Sequence, residues 1–293
     1  MKSNTILITD LSDVKLLKRG KVRDIYDLGD SLLIISTDRI SCFDVVLPTG
    51  IPNKGIVLNK LSVFWFNFTK DIIDNHLITD DIDRFPKELH PFKRLLNGRS
   101  MLVRKATPIP IECVVRGYLA GSAWDEYKET QSVCEIKLQD GLSRYSKLPE
   151  PIFTPATKED TGHDINVSYE YIINNFGLKI AECLKDKSIG LYTKASEFAE
   201  KKGIIIADTK FEFGFINNDI VLIDEIFTPD SSRFWSKKDY LQDVAPENFD
   251  KQFVRDYLEI LGWSKTPPGP VLPEYIVNKT SEKYTQILNY ILE

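Results

Sequence analysis

The sequence predicts a mixed α+β chain in two lobes, a small strand-rich N-terminal lobe over residues 1–111 and a larger α/β lobe over 112–293. Three observations predict this. Residues 14–37 read as short strands separated by tight turns, whereas helical apolar spacing gathers after residue 167. Between these regions Thr107-Pro-Ile-Pro-Ile111 must run extended, because two prolines forbid a helix there, so the segment Pro108–Glu112 is the natural crossing between lobes.

In order along the chain, Val14 to Lys18 leads to the turn Arg19-Gly20-Lys21, and Val22 to Tyr26 alternates as a half-buried strand. Gly29-Asp30 is a turn, and Leu32 to Ser36 is a buried strand. Apolar residues at 57, 61, 64, 65, 68 and 72 make a helical stripe over 55–74. Residues 82–99 are charged and irregular; Met101–Lys105 and Glu112–Arg116 are strands. Residues 135–165 read as a long irregular region containing the charged run Lys158-Glu159-Asp160, and loops of that length inside a domain usually serve function. Two helices follow, Ser168–Asp186 and Ser188–Lys202, the second stopped by Gly203. Further helices cover 249–261 and 273–292, joined by the stiff connector Thr266-Pro-Pro-Gly-Pro.

The stretch from Ile204 to Phe215 carries most of the chemistry. Four apolar residues run into alternating charged and aromatic ones, so Asp208, Lys210 and Glu212 share one face of a strand and Phe211, Phe213 and Phe215 the other. Asn217-Asn218-Asp219 reads as the turn into a second strand, Ile220–Ile223, ending in Asp224-Glu225. A three-residue loop would set Glu212 opposite Asp224, with β-carbons about 5 Å apart. Facing carboxylates repel, so a cation belongs between them. Mg²⁺ suits the position, since it takes one or two carboxylates and completes its shell with phosphate and water. The bland alternative is a surface hairpin whose charges Lys210 bridges.

Composition narrows the function classes. A formal charge of −5 argues against general nucleic-acid binding. No apolar run approaches the roughly 18 residues of a membrane span, and the apolar stretch near Met1 is too short for a signal peptide. Cys42, Cys113, Cys134 and Cys183 lie far apart, as reduced thiols of a cytoplasmic protein do, and His76, His90 and His163 are too scattered for a metal cluster.

Four polar motifs remain. Arg19-Gly-Lys-Val-Arg-Asp24 resembles a glycine-turn flap over nucleotide phosphates, or is an ordinary basic hairpin. In Arg116-Gly-Tyr-Leu-Ala-Gly-Ser122, Arg116 and Ser122 could meet one anion, or Arg116 could lie exposed in a turn. Asp230-Ser-Ser-Arg233 reads as a phosphate pocket or a helix cap. Thr37-Asp-Arg-Ile-Ser-Cys-Phe-Asp44 could bind a small zwitterion or satisfy its own backbone. Together these motifs fit ATP-dependent chemistry on an anionic substrate.

The chain resembles the SAICAR synthetase family. The segments carrying the resemblance are Arg19–Tyr26, Ser36–Ser41, Cys113–Ser122, Pro151–Lys158, Ala207–Gly214 and Thr228–Trp235, in the family's order. It is similar to the longer, fungal-type members, with an insertion around 80–98 and an extended C-terminus. The resemblance implies lobes related to ATP-grasp and kinase-like folds, with ATP and Mg²⁺ between them. It also implies that L-aspartate is joined to the carboxylate of carboxyaminoimidazole ribonucleotide (CAIR). Gly20, Lys21 and Arg23 match the phosphate flap, Glu112 the adenine-side segment, Lys158 a lysine near the nucleotide, and Glu212 and Asp224 the metal carboxylates. Arg116, Ser122, Asp208, Lys210 and Arg233 match residues holding CAIR. Asp38, Arg39, Ser41 and Lys54 are candidates for the aspartate pocket, and Asp208 or Asp38 for the base. Lys210, Asp208 and Lys158 are the catalytic candidates. A cytoplasmic monomer is implied. A small-molecule kinase would differ in needing no aspartate for ADP release, and a non-enzymatic nucleotide-binding regulator would bind ATP without turnover.

Overall fold

In a computed structural model, which describes residues 5–158, 165–242 and 245–293, the chain starts as an antiparallel meander. β1 (Lys15–Arg19), β2 (Arg23–Asp27) and β3 (Ser31–Ser36) follow the alternation of their sequences. The Gly20 amide donates to the Arg23 carbonyl at 2.8 Å and closes the first turn. The short pair β4 (Ser41–Cys42) and β5 (Val45–Val46) leads to α1 (Lys54–Phe68). This helix stops short of the predicted residue 74 because the Thr69 hydroxyl donates to the Trp65 carbonyl at 2.7 Å, capping the last turn. β6 (Leu77–Thr79), α2 (Lys93–Leu96) and β7 (Ser100–Arg104) complete a five-stranded sheet of order β1-β2-β3-β7-β6. The segment read as irregular, 82–99, supplies Phe85, Leu89 and Leu96 to the core over one face of that sheet.

β8 (Thr107–Pro108) and β9 (Ile111–Tyr118) belong to the second, seven-stranded sheet. α3 (Ser122–Thr130), β10 (Ser132–Val133), β11 (Ile136–Lys137), β12 (Lys147–Phe153) and β13 (Ala156–Thr157) follow. The region predicted as irregular, 135–165, thus contains a strand paired with β9. Its prolines hid it, since a proline at a bulged position breaks the alternation without ending the strand. Residues 159–164, with most of the expected charged run, lie outside the described residues.

α4 (Tyr169–Phe176) and α5 (Leu178–Lys201) correct the predicted helix boundary, which falls at Gly177 (φ 85°) and not near 187. Only glycine takes that backbone cheaply, whereas Lys187 and Ser188 continue one helix. The central strand β14 (Ile204–Ile216) pairs with β15 (Asp219–Ile223), β16 (Ser232–Ser236), β8 and β9. α6 (Lys237–Leu241), α7 (Gln252–Ile260) and α8 (Glu274–Leu292) end the chain. The main core runs from Ile34, Leu58 and Met101 through Phe211 and Leu222 to Leu184, Leu191 and Ile287.

Two details of β14 position the site. Asn217 and Asn218 both take positive φ (50° and 71°), which makes a two-residue turn and corrects the expected three-residue loop. Glu212 therefore faces Ile223, not Asp224. Asp224 itself has φ 68°, so the chain leaves the strand at that residue and is not bound to its alternation. At the other end the β14–β16 register shifts between Ile206 and Asp208, leaving Ala207 as an extra residue in a β-bulge.

Candidate active site

One row of three strands builds the cationic end of the site. Asp208 on β14 is paired with Arg116 of β9 on one side and Arg233 of β16 on the other. Its Oδ2 accepts from Arg116 Nη1 at 3.2 Å and also from Arg233 Nη1. Arg116 Nε donates to Thr154 Oγ1 at 2.9 Å and Nη2 to Ser122 Oγ at 3.3 Å. Two guanidiniums contact one carboxylate, with the buried Asp250 acting on Arg233 from further off, and their remaining N–H groups can take an anion.

Two residues further along β14, Lys210 pairs with Glu112 of β9. Burial pushes its ammonium down, but the Glu112 carboxylate outweighs this and holds Lys210 above its ordinary value. Lys210 is therefore a fixed cation between the arginine row and the acidic end.

At the acidic end Glu212 pairs with Lys158, and Asp224 takes a two-pronged bond from Arg23 at 2.6 and 2.7 Å. Burial and the neighbouring Asp224 charge push Glu212 above the usual carboxylate range. Burial also pushes Asp224 up, but the Arg23 guanidinium wins and holds it below that range. Burial is the larger cause of the Glu212 rise, and the Asp224 charge adds to it although the register no longer sets the two residues opposite. Oxygen donors in twos suit Mg²⁺, which needs few protein ligands. Among the described residues no group of three or more His, Cys, Asp or Glu could form a closed cage.

The flap turn is held from beneath. Arg39 donates to the Gly20 carbonyl at 2.9 Å, to the Lys21 carbonyl at 3.1 Å and to Asp24 at 2.8 Å. Lys21, half exposed, pairs with Asp44. Asp38 accepts from the Ile6 amide at 2.8 Å and from the Gly55 amide and Arg99 at 3.0 Å each. Lys54, fully buried, donates to Asp230 at 2.6 Å. Asp38, Arg39, Ser41 and Lys54, the candidates for the aspartate pocket, are all engaged or buried within the fold, Ser41 in β4. The sequence showed polar residue types at these positions, and the fold uses them to tie loops together.

Sequence reasoning missed Thr154, which orients Arg116, and the set around Asp230, where Lys251 at 3.3 Å and the Tyr284 hydroxyl at 2.8 Å join Lys54. Asp230, in the segment expected as a phosphate pocket or a helix cap, has its carboxylate buried among these three donors. The alternation at Arg116 could have suggested a cross-strand hydroxyl. Nothing local pointed to Tyr284, which arrives from the C-terminal helix.

A family model described as SAICAR synthetase matches residues 16–270. A phosphoribosylaminoimidazole-succinocarboxamide synthase of Thermodesulfovibrio yellowstonii is 56% identical over 98% of this chain and 99% of its own. That of Geobacter metallireducens is 54% identical over 98% and 97%. Among solved structures, the SAICAR synthase of Saccharomyces cerevisiae in complex with SAICAR matches with TM-score 0.88 and 41% identity over 98% of both chains. A SAICAR synthetase in complex with ADP matches with TM-score 0.70 and 25% identity over 96% and 97%.

Proposed function

The chain belongs to the SAICAR synthetase family, and on that premise we propose how this ATP-dependent ligase of purine biosynthesis uses its own residues. CAIR binds at the Arg116–Asp208–Arg233 row with Ser122. ATP lies between the Gly20 turn, with Lys21 and Arg23, and the segment around Glu112 and Lys158. Glu212 and Asp224 would hold Mg²⁺, which would offset charge on the phosphate oxygens. The observation that carries this reading is the single strand β14, which presents Asp208, Lys210 and Glu212 on one face between arginines and carboxylates.

A carboxylate is a poor acyl donor because oxide would have to leave. In the proposed sequence an oxygen of the CAIR carboxylate attacks the γ-phosphorus of ATP and the bond to ADP breaks. The amine of aspartate then attacks the acyl carbon, the carbon–oxygen bond to phosphate breaks, and the nitrogen gives up a proton. Arg116 and Arg233 orient CAIR, so geometry supplies much of the rate. Lys210 lies between the two reacting groups, and Lys158 and Lys21 counter charge during transfer. Asp208 and Asp38 are the candidate bases, and each already accepts from cationic or amide donors. The Gly20 turn excludes water from the acyl phosphate. No helix among the described residues is long and apolar enough to cross a membrane. A cytoplasmic monomer acting on small molecules completes the reading.

Glu212→Gln and Asp224→Asn should each cut kcat by about 10² or more, the scale of losing one major electrostatic stabiliser. ADP release should require both CAIR and aspartate. Near-normal turnover in either variant removes the metal assignment, and ADP release without aspartate favours a kinase.

A further inference from the structure

Strand β14 changes faces at Ala207. Ile204 and Ile206 point into the main core with Phe211 and Phe213, although the first two numbers are even and the last two odd. Strict alternation from Ile206 would send Asp208 into the same core. The bulge residue Ala207 reverses the alternation, and only then does Asp208 meet Arg116 and Arg233. The direction of the central carboxylate therefore depends on a backbone irregularity.

That irregularity is held from behind by one side chain. Tyr192 of α5 is buried and donates its hydroxyl to the Ile206 carbonyl at 2.7 Å. The ring reaches the strand because β9 carries glycine there. A Cβ on Gly117 would lie 2.0 Å from the Tyr192 oxygen. Gly117 follows Arg116 directly, so one phenol fixes the backs of both strands whose fronts carry the Arg116–Asp208 pair.

We infer that Tyr192 is a positioning residue for the anion-holding row, acting through the bulge at Ala207 without touching substrate. The inference rests on the reading that this row binds the ribonucleotide. Tyr192→Phe keeps the ring and removes one hydrogen bond, worth about three- to ten-fold in an equilibrium. The Kd and KM for CAIR should rise by about that factor, while KM for ATP and kcat stay within about twofold. Gly117→Ala should cause a similar selective loss by displacing the hydroxyl, and the double variant should be no worse than the poorer single one, since both act on one contact.

The test is titration calorimetry with CAIR, steady-state kinetics with each substrate varied, and a thermal melt, on wild type, both single variants, the double variant and Arg233→Ala. Selective loss of CAIR binding with non-additive variants supports the inference. A lower Tm with unchanged CAIR affinity, or an equal loss for both substrates, overturns it while Arg233→Ala still confirms the binding row. Normal CAIR binding by Arg233→Ala removes the row as the substrate site, and the role of Tyr192 with it.

Discussion

Asp208 lies between two arginines because a residue in the middle strand of a sheet has a cross-strand neighbour on each side. A single carboxylate can then space two guanidiniums without neutralising both. Gly121 makes the geometry possible. It adopts φ 55° and ψ −138°, a conformation open essentially to glycine alone, and a Cβ there would lie 2.1 Å from Arg233 Nη2. Gly121→Ala should cost about 1–3 kcal/mol in stability through backbone strain. It should also raise KM for CAIR by about tenfold or more while sparing ATP, as loss of one charge-assisted contact implies. Urea unfolding and two-substrate kinetics check both parts, and an equal loss for the two substrates would move Arg233 away from CAIR. At this scale the sequence was informative about chemistry and poor about partners. Arg116, Asp208, Lys210 and Glu212 were legible because alternation places them on one face. The internal commitments of Asp38 and Arg39 were not, because their partners lie 15 or more residues away and a polar loop looks the same whether it binds a ligand or its own backbone.

The loop between β15 and β16 is the element that aims Arg233, and Asp230 anchors it. Lys54 from the start of α1, Lys251 before α7 and Tyr284 from α8 all meet that carboxylate. Burial alone would push Asp230 up, but the two ammoniums and the phenol hold it well below the ordinary value of 3.8. A depressed carboxylate contributes stability above its unfolded pKa, and that contribution is lost as pH falls below about 4. Asp230→Asn should therefore cost about 3–5 kcal/mol near neutrality, since it leaves Lys54 buried and uncompensated. The variant should also lose less stability than wild type on acidification. Urea unfolding at neutral and acid pH measures the difference, and parallel acid limbs for the two proteins would contradict the assignment. Elements with a clean period, such as β2, β3, β14 and α8, were readable from spacing. β12 escaped because its prolines and bulge hide the alternation, and the α4–α5 boundary lies at Gly177, not near residue 187, because the break takes a left-handed backbone that favours glycine. The hairpin register slipped by one residue because two asparagines in left-handed conformations shorten the turn.

Across the whole molecule, one ion pair joins the two sheets, and a second closes the acidic end of the site within the larger sheet. Arg23 from the N-terminal sheet grips Asp224 beyond β15, and Lys158 grips Glu212. The cations proposed for phosphates thus pair with the carboxylates proposed for the metal. Neither ligand alone can satisfy what it would release. A nucleotide drawing Arg23 and Lys158 away would leave two nearby carboxylates unpaired, and a metal taking the carboxylates would leave the partly buried Arg23 without its partner. Mg²⁺ and ADP together exchange both sets at once, so their binding should be strongly cooperative. At about 100 times Kd the pair should stabilise the fold by about 2.7 kcal/mol, which raises Tm by about 5 °C or more in a chain of this size. Either ligand by itself at the same concentration should shift Tm by about 1 °C or less. Differential scanning calorimetry of the wild type and of Arg23→Met measures this. The exchange requires the excess over the separate shifts to shrink in Arg23→Met, because the charge left without its partner is then missing. Additive shifts in the wild type, or an undiminished excess in the variant, would show that these ion pairs do not couple metal to nucleotide.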